Sequence, residues 1–257
     1  MPHSNWFVHK FGGTSVGSSE RYLNVSNLVS RYSGAVSPAR TAVVVSAMAG
    51  ITNALEACCR AATEAFFETR EGEGGGGDGT GKGKDPRETS RASRLAAFEP
   101  LLEDVYERHR KTVSSLCDSG QMSAEEGFRI CATIRANVDD LKDVMMAMAV
   151  SGSCPESLRE LVMGHGELWS AQVLHAVMQH KASKQSADGD GEGGGSSSVA
   201  WIDAREVLVV DEDGGEGGGT AKFTTFERVF LNWKISQEKM DDWCQRHPEA
   251  RVVIITG

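Results

Sequence analysis

The sequence lacks the features that mark membrane-spanning, secreted and nucleic-acid-binding proteins. Its net charge is −9 over 257 residues, and it contains no cluster of Lys and Arg, so we expect no nucleic-acid partner. It has no uninterrupted apolar stretch long enough to cross a bilayer, so we expect no membrane association. The N-terminus shows neither a secretory signal nor an arginine-rich transit segment. These absences predict a protein of the cytoplasm or the plastid stroma.

Metal-binding cysteine patterns are also missing. The sequence contains six cysteines, but none of them forms a C-x-x-C pair, and no Cys/His spacing suits zinc. We therefore predict no protein-bound metal site and expect the thiols to be reduced, as is usual in cytosol-like compartments.

The sequence has neither a Walker A loop nor a dinucleotide-binding G-x-G-x-x-G fingerprint. A short apolar run leads instead into the letters KFGGTSVG at residues 10–17, in which the lysine precedes the glycines. We interpret this stretch as a strand, a tight glycine turn and the start of a helix. Lys10 and the backbone of Gly12 and Gly13 would then form a phosphate seat. The alternative is an ordinary glycine-rich turn between two core elements.

Apolar patterns predict that strands and helices alternate along the chain. Residues 19–33 and 54–67 have helical spacing, and the β-branched runs at 42–45 and 252–255 are typical of strands covered on both faces. The order strand, helix, strand, helix predicts an α/β fold with a mainly parallel sheet and right-handed crossovers.

The middle and the end of the chain continue this alternation. A helix is expected to begin at Pro155, to be interrupted at residues 164–167 and to resume at Leu168. The other predicted elements are helices over residues 95–116, 124–149 and 230–244 and strands over residues 199–202 and 207–210.

Three low-complexity segments, rich in glycine, interrupt these patterns at about residues 71–87, 185–198 and 211–221. Such segments cannot bury enough apolar surface to fold, so we predict disordered surface inserts. They are tolerable because the entropy cost of closing a loop rises slowly with its length.

The polar segments that follow the predicted strands indicate where a ligand binds. Residues 10–15, 46–53, 203–205 and 256–257 all lie at strand ends, and ligands of open α/β sheets bind beyond the carboxyl ends of strands. These segments are rich in glycine and hydroxyl groups and include Lys10, but contain no Ser/His or Cys/His pair. That composition suits phosphoryl transfer, in which positioning and charge neutralisation provide most of the catalysis.

Four motifs, in order along the chain, resemble those of aspartokinases in the amino-acid kinase family. They are KFGGTS at residues 10–15, VVSAMAGITN at 44–53, GHGELWSA at 164–171 and WIDAREVL at 201–208. The third and fourth most resemble the bifunctional aspartokinase–homoserine dehydrogenases of plants and algae. The resemblance implies a three-layer, amino-acid kinase-like sandwich of which residues 1–257 form the N-terminal part.

This resemblance implies that ATP, with Mg²⁺ on the nucleotide, phosphorylates the side-chain carboxylate of L-aspartate to 4-phospho-L-aspartate. That reaction is the first step of lysine, threonine, methionine and isoleucine synthesis. At the matching positions Lys10 would be the catalytic cation. The ATP-binding set implied by the first motif is Lys10, Gly12, Gly13, Thr14 and Ser15.

The second and third motifs imply the substrate contacts. Ser46 and Thr52 would orient the aspartate, and Glu167 would bind its α-amino group. Each has a plainer alternative: the two hydroxyl residues as helix-cap or turn residues, and Glu167 as a solvated carboxylate in the first turn of a helix. His165 and the Asp203–Arg205 pair are expected to be structural, the latter as a turn with an ion pair.

The family pattern extends beyond the four motifs, to an Arg-Gly-Gly-Ser-Asp type segment, a nucleotide-base pocket and regulatory domains. We therefore expect a C-terminally truncated chain with little or no kinase activity by itself, and a homo-oligomer for the full-length protein. Any homoserine dehydrogenase activity would reside in further sequence. Two alternatives are a kinase for glutamate or acetylglutamate, and a non-catalytic remnant that serves as an oligomer partner.

Overall fold

Four strands form a parallel sheet in the computed structural model, which describes residues 6–35, 40–72, 86–187, 198–211 and 230–257. The strands are β1 (Trp6–Phe11), β2 (Arg40–Val45), β3 (Ser198–Ile202) and β6 (Ala250–Thr256), and their order is β1-β2-β6-β3. A separate antiparallel pair is formed by β4 (Val210–Asp211) and β5 (Phe230–Leu231).

Seven α-helices accompany the strands within these ranges, and a single 3-10 turn, Gly13–Val16, follows β1. The helices are α1 (Ser19–Ala35), α2 (Ile51–Gly72), α3 (Pro86–Asp118), α4 (Ala124–Ser151), α5 (Glu156–Ala187), α6 (Ala204–Val207) and α7 (Trp233–Arg246).

The register of the sheet brings the carboxyl ends of the strands to one edge. Phe11 pairs with Val45, and Val45 pairs with Thr256, so that three strands end side by side. Ile202 pairs with Ile255 on the far side of β6. The loops that follow all four strands therefore emerge at a common rim, as the sequence predicted.

Helices cover both faces of the sheet because its strands carry apolar side chains on both faces. Val252 and Ile254 of β6 belong to the main core with α1 and α5, whereas Val253, between them, belongs to a smaller cluster with Trp243 of α7. This alternation follows from the period of two along a strand. The predicted α/β fold, with a parallel sheet between helical layers, is confirmed.

A group of long helices, α2 to α5, extends the main core away from the sheet. Its largest buried side chains include Trp169, Phe98, Leu102 and Met145, each essentially without exposed surface. The turn between α4 and α5 begins at Gly152, whose φ of 68° is a left-handed conformation that favours glycine. We refer to helices α2 to α5 as the helical bundle.

Three sequence-based predictions of secondary structure are wrong in detail. The helix expected to break at residues 164–167 is continuous, because Gly164 and Gly166 lie inside α5. Val207 ends helix α6 instead of beginning a strand, and only Val210 onward pairs in β4. The last helix begins at Trp233, not at residue 230, because the side chain of Asn232 caps it by accepting a hydrogen bond from the Ile235 N–H.

Most of each predicted low-complexity insert lies outside the described residues. At the margins the chain is regular: α2 reaches Gly72, α3 begins at Pro86, α5 reaches Ala187 and β4 includes Asp211. The prediction of disorder is therefore wrong at these marginal residues. Among the described helices, none is both long and apolar enough to traverse a bilayer.

Candidate active site

The glycine loop after β1 forms the first wall of the site. Lys10 is exposed near the end of β1, and the 3-10 turn that follows is closed by a 2.8 Å hydrogen bond from the Ser15 N–H to the Gly12 carbonyl. A Cβ atom added at Gly13 would lie 2.7 Å from the carbonyl oxygen of Ala47, whereas one at Gly12 would meet nothing within 4 Å. Gly13 thus permits close packing against the next loop, and Gly12 leaves open space beside Lys10.

The loop after β2, residues 46–50, forms the second wall. The Ser46 N–H donates to the Phe11 carbonyl at 3.0 Å, which ties the start of this loop to the end of β1. The loop ends at Gly50, whose φ of 76° is left-handed, and α2 follows immediately. Arg108 of α3 donates from Nη2 to the Ala49 carbonyl at 2.6 Å.

Glu167 reaches this second loop from the middle of α5. A Cβ atom at the preceding Gly166 would lie 2.8 Å from Cβ of Ala47, so a glycine is what lets the helix approach the loop. The half-buried Glu167 carboxylate accepts a hydrogen bond from the Ala47 N–H. Because α5 begins at Glu156, Glu167 is not in a first helical turn, and that alternative for it is wrong.

Burial raises the pKa of Glu167 above its ordinary value, and this is the largest influence on the group. Hydrogen bonds from backbone N–H groups and the positive charge of Lys10 act in the opposite direction and lower the pKa. Lys10 and Glu167 therefore lie close enough to interact, although they are far apart in sequence. The site thus presents a cation at the end of β1 and a carboxylate that reaches the 46–50 loop.

Thr52 follows the 46–50 loop, in the first turn of α2. It is exposed and lines a cleft of about 440 Å³ between α2 and α5, together with Glu56, Arg159 and Met163. Arg159 donates from Nε to the Glu56 carboxylate at 2.8 Å across this cleft. The structure thus places Thr52 in the lining of this cleft, at the start of α2.

The remaining residues of the first motif lie further along the glycine loop. Thr14 is exposed, and its carbonyl oxygen accepts a 2.6 Å hydrogen bond from Nη1 of Arg21 on α1. Ser15 is half-buried, and its N–H closes the 3-10 turn on Gly12. Both residues lie on the rim, and these contacts stabilise the conformation of the glycine loop.

The rim at β3 and β6 is built from structural contacts. The Asp203 carboxylate caps α6 by accepting from the Arg205 N–H at 3.0 Å, and it also pairs with the Arg205 guanidinium at 2.6 Å. The Thr256 hydroxyl accepts from the Ala204 N–H at 2.9 Å, which joins β6 to α6. The prediction that Asp203 and Arg205 form a turn with an ion pair agrees with this geometry.

His165 is also held by contacts within the protein. Its Nδ1 bonds the Leu161 carbonyl at 2.8 Å, one helical turn earlier, and its ring lies 5.5 Å from that of Trp169. Burial lowers the pKa of His165. These contacts agree with the structural role that the sequence predicted.

The part of the chain that the structure describes contains neither a metal-binding cluster nor an activated thiol. There, no cluster of three or more His, Cys, Asp or Glu side chains has metal-binding geometry. All six cysteines, each within the described residues, are free thiols. Burial raises the pKa of Cys58 and of Cys59 to about 12, which keeps both thiols protonated and weakly nucleophilic.

The structure therefore brings Lys10, Gly12, Gly13, Ser46 and Glu167 to one rim of the sheet. A cation beside open backbone suits a phosphate group, and a carboxylate beside it suits an amine. Sequence reasoning missed the contribution of Arg108 and the backbone N–H of Ala47. The helical pattern around Arg108 carries no signal for it, because the contact with Ala49 joins residues 59 positions apart.

Comparison with known proteins supports the resemblance seen in the motifs. No family model matches the chain. The chain is 29% identical over 252 residues to "Bifunctional aspartokinase/homoserine dehydrogenase 1, chloroplastic" of Zea mays, and 29% identical over 253 residues to the protein of the same name in Arabidopsis thaliana. It is 26% identical over 203 residues to "Bifunctional aspartokinase/homoserine dehydrogenase 2" of Escherichia coli (strain K12).

These similarities span most of the chain but a small part of each relative. The two plant alignments cover 98% of this chain and 20% and 21% of the relatives, and the bacterial alignment covers 78% and 18%. The chain thus spans about a fifth of the length of the curated relatives it matches. The predicted resemblance to bifunctional aspartokinase–homoserine dehydrogenases is confirmed, and a function related to aspartate kinase is supported.

Proposed function

We propose that this chain carries the ATP-phosphate and L-aspartate sites of an aspartate kinase. The observation that carries the proposal is that Lys10 lies close enough to Glu167 to lower its pKa, at the carboxyl edge of a parallel sheet where Glu167 reaches the 46–50 loop. The similarity to bifunctional aspartokinase–homoserine dehydrogenases supports the choice of aspartate as the acceptor.

In the proposed reaction the side-chain carboxylate of aspartate attacks the γ-phosphorus of ATP. An oxygen–phosphorus bond forms, the bond to ADP breaks, and the products are 4-phospho-L-aspartate and ADP. A carboxyl group with a pKa near 3.9 is already ionised at neutral pH, so no general base is required. Mg²⁺ would arrive on the nucleotide and neutralise part of its charge.

Lys10 would neutralise the transferring phosphoryl group in this reaction. Its ammonium is exposed at the strand end, and the open space at Gly12 gives phosphate oxygens access to the backbone. Phosphoryl transfer places negative charge on the equatorial oxygens, and a fixed cation there lowers the barrier. Thr14 and Ser15 complete the loop that would surround the phosphates.

Glu167 would bind the α-amino group of aspartate as a carboxylate, with Ser46 and Thr52 orienting the rest of the substrate. Because burial raises the pKa of Glu167, the group takes up a proton at a higher pH than an exposed glutamate does. Aspartate binding should therefore weaken as the pH falls through that raised pKa. Replacement of Glu167 by Gln should weaken binding at neutral pH and abolish this pH dependence.

The wider biology is part of the same proposal. The curated plant relatives are named as chloroplastic and bifunctional, and we propose a plastid-stromal or cytoplasmic enzyme of amino-acid biosynthesis that acts as a homo-oligomer. A homoserine dehydrogenase activity, if the protein has one, is not proposed for residues 1–257. For these residues alone we expect substrate binding with little or no turnover.

Calorimetric titration of the purified chain with L-aspartate, L-glutamate and MgATP tests the proposal directly. We expect binding of MgATP, and of L-aspartate in clear preference to L-glutamate. The Glu167→Gln variant should lose aspartate binding by about tenfold or more, the scale of one charged hydrogen bond. Glu125→Gln, an exposed change at the start of α4, is the matched control and should bind as the wild type does.

Turnover is measured in the protein that carries this chain, with hydroxylamine present to trap the acyl phosphate as a hydroxamate. ATP-dependent hydroxamate formation from aspartate is the expected result. Glutamate preferred over aspartate in both assays would assign the chain to a different amino-acid kinase. Absence of ATP-dependent hydroxamate formation from either amino acid in the protein that carries this chain would remove the kinase proposal.

A further inference from the structure

Arg108 makes a contact with the candidate site that the proposed reaction does not use. It lies on α3, in the helical bundle, and its guanidinium reaches the loop after β2, where Nη2 donates to the Ala49 carbonyl at 2.6 Å. The side chain is half-buried, and the bond is charge-assisted because the donor is a cation. A side chain of the bundle thus bonds directly to the backbone of the candidate site.

Ala49 is the point at which the two loops of the site meet. A Cβ atom added at Gly17 would lie 3.1 Å from Cβ of Ala49, and one at Gly13 would lie 3.5 Å from its Cα. The residue that follows, Gly50, has a left-handed φ of 76°, and a Cβ atom there would lie 3.3 Å from Nη2 of Arg108. The guanidinium therefore packs on the turn as well as bonding to it.

We propose that Arg108 is a positioning residue that fixes the Ala49–Gly50 turn and so aligns the amino-acid-binding loop with Glu167. The loop supplies Ser46 and the Ala47 N–H on one side of the turn and Thr52 on the other. This inference rests on the proposed function of the site, and it assigns a role to a residue outside the four motifs.

The geometry of the loop explains why a single contact has this effect. The start of the loop is fixed by the bond from the Ser46 N–H to Phe11, and α2 is fixed by its packing in the bundle. Between them the turn is held by the Ile51 N–H on the Met48 carbonyl at 3.0 Å and by Arg108. Without the guanidinium the loop would be less ordered in the free protein. Ordering its binding residues when the substrate binds would then reduce the affinity for the substrate.

The phosphate side of the site should depend less on Arg108. Lys10 is held in β1 by the sheet, and Gly12 accepts the Ser15 N–H within its own turn. The proposal therefore predicts a split between the two ligands. Aspartate binding should weaken more than MgATP binding, whereas general damage to the fold should weaken both.

Calorimetric titration of the purified chain with L-aspartate and MgATP tests this split in two Arg108 variants. Arg108→Met should weaken aspartate binding about tenfold, the scale of a lost charge-assisted hydrogen bond, and MgATP binding less than about twofold. Arg108→Lys, which keeps a charged donor but not the planar fork, should fall between the wild type and Arg108→Met. The matched control is Arg110→Met, which removes an exposed arginine that lies two residues after Arg108 and pairs with Glu107.

Amide hydrogen exchange of the free chain gives a second readout that needs no ligand. Arg108→Met should speed exchange at the Ile51 and Ala54 N–H groups, which bond across the turn, and Arg110→Met should not. Unchanged exchange at these amides, or equal losses of aspartate and MgATP affinity, would overturn the proposal. A wild-type chain that binds no aspartate would contradict the proposed function, and the exchange result would then decide the role of Arg108 in the turn by itself.

Discussion

The rim of the sheet and the helical bundle are built on opposite principles. The rim is made of backbone in close contact, with glycines where a Cβ atom would collide with the neighbouring loop or helix, as at Gly13 and Gly166. The bundle is made of large side chains without exposed surface, such as Trp169 and Phe98. The rim therefore places polar groups at a surface, whereas the bundle buries large apolar side chains, which stabilises the fold.

Each region nevertheless contains an exception: the bundle buries a titratable side chain, and the rim partly buries one. The bundle buries His109, whose Nδ1 bonds the Val105 carbonyl at 2.8 Å and whose Nε2 has no hydrogen-bond partner within the described residues. The rim half-buries Glu167. Burial lowers the pKa of His109 and raises the pKa of Glu167, so the uncharged form of each side chain is favoured. The charged form of either side chain would therefore destabilise the fold. Four predictions test how separate the two regions are.

The largest effect is expected at the rim and on activity alone. Lys10→Ala should lower aspartate-dependent turnover of the protein that carries this chain by about 10²- to 10³-fold, the scale of losing one group that stabilises developing charge. Because Lys10 is exposed, thermal unfolding should hardly change. Lys111→Ala, an exposed lysine of the bundle, serves as the control in both measurements, and equal turnover in the two variants would remove Lys10 from the mechanism.

The second effect is the pH dependence of stability that His109 of the bundle should cause. Burial lowers the pKa of His109 to about 4, whereas in the unfolded chain it is near 6.5. As the pH falls from 6.5 to 4 the unfolded state takes up a proton that the folded state does not, so stability should fall by about 1.4 kcal/mol per pH unit at most. Urea unfolding at several pH values measures this slope. It should be shallower in His109→Phe, and an unchanged slope would contradict the assignment.

The third effect compares two glycines of one helix, one at the rim and one away from it. Gly166→Ala adds a methyl group 2.8 Å from Cβ of Ala47 and should destabilise the fold by about 1–3 kcal/mol. Gly164→Ala meets nothing within 4 Å and should stabilise by up to about 1 kcal/mol through helix propensity. Thermal unfolding of the pair measures both signs. Stabilisation of both variants would show that the close approach to Ala47 is not needed.

The smallest effect is expected on stability at Glu167, where a large loss of aspartate binding should accompany almost no change in stability. The raised pKa of Glu167 means that its charged form is disfavoured in the fold, so this cost is present above the raised pKa and absent at low pH. Glu167→Gln should therefore leave stability at pH 8 unchanged or slightly increased, within about 0.5 kcal/mol, while aspartate binding is lost. Marked destabilisation at pH 8 would indicate a structural role for the carboxylate instead.

Much of the rim could be predicted from sequence because its signals are local. A β-branched run followed by glycine and hydroxyl residues marks a strand end, and parallel strands bring their ends to one edge. Lys10 and Ser46 lie at strand ends of this kind, whereas Glu167 was singled out only by the resemblance of the third motif. The β6 strand was likewise recognisable from its apolar run alone.

The contacts that complete the rim could not be predicted because they are tertiary. The sequence around Gly166 predicted a break in α5, since a glycine weakens an isolated helix, but packing against Ala47 stabilises the continuous helix. Arg108 looks like any exposed arginine of an amphipathic helix until α3 is placed beside the Ala49 carbonyl. In both cases the deciding partner lies on another element.

The position of β6 within the sheet has a consequence for biosynthesis. This strand is inserted between β2 and β3, and its register joins Thr41 to Val252, so β2 and β6 are neighbours although most of the polypeptide separates them in sequence. Pairings of such long sequence separation form slowly, because the intervening chain must be closed into a loop first. Until β6 has been made, the edge of β2 that it will pair with is unsatisfied and open to misassociation. The order of synthesis therefore leaves an interior edge of the sheet open for as long as the residues between β2 and β6 are being made.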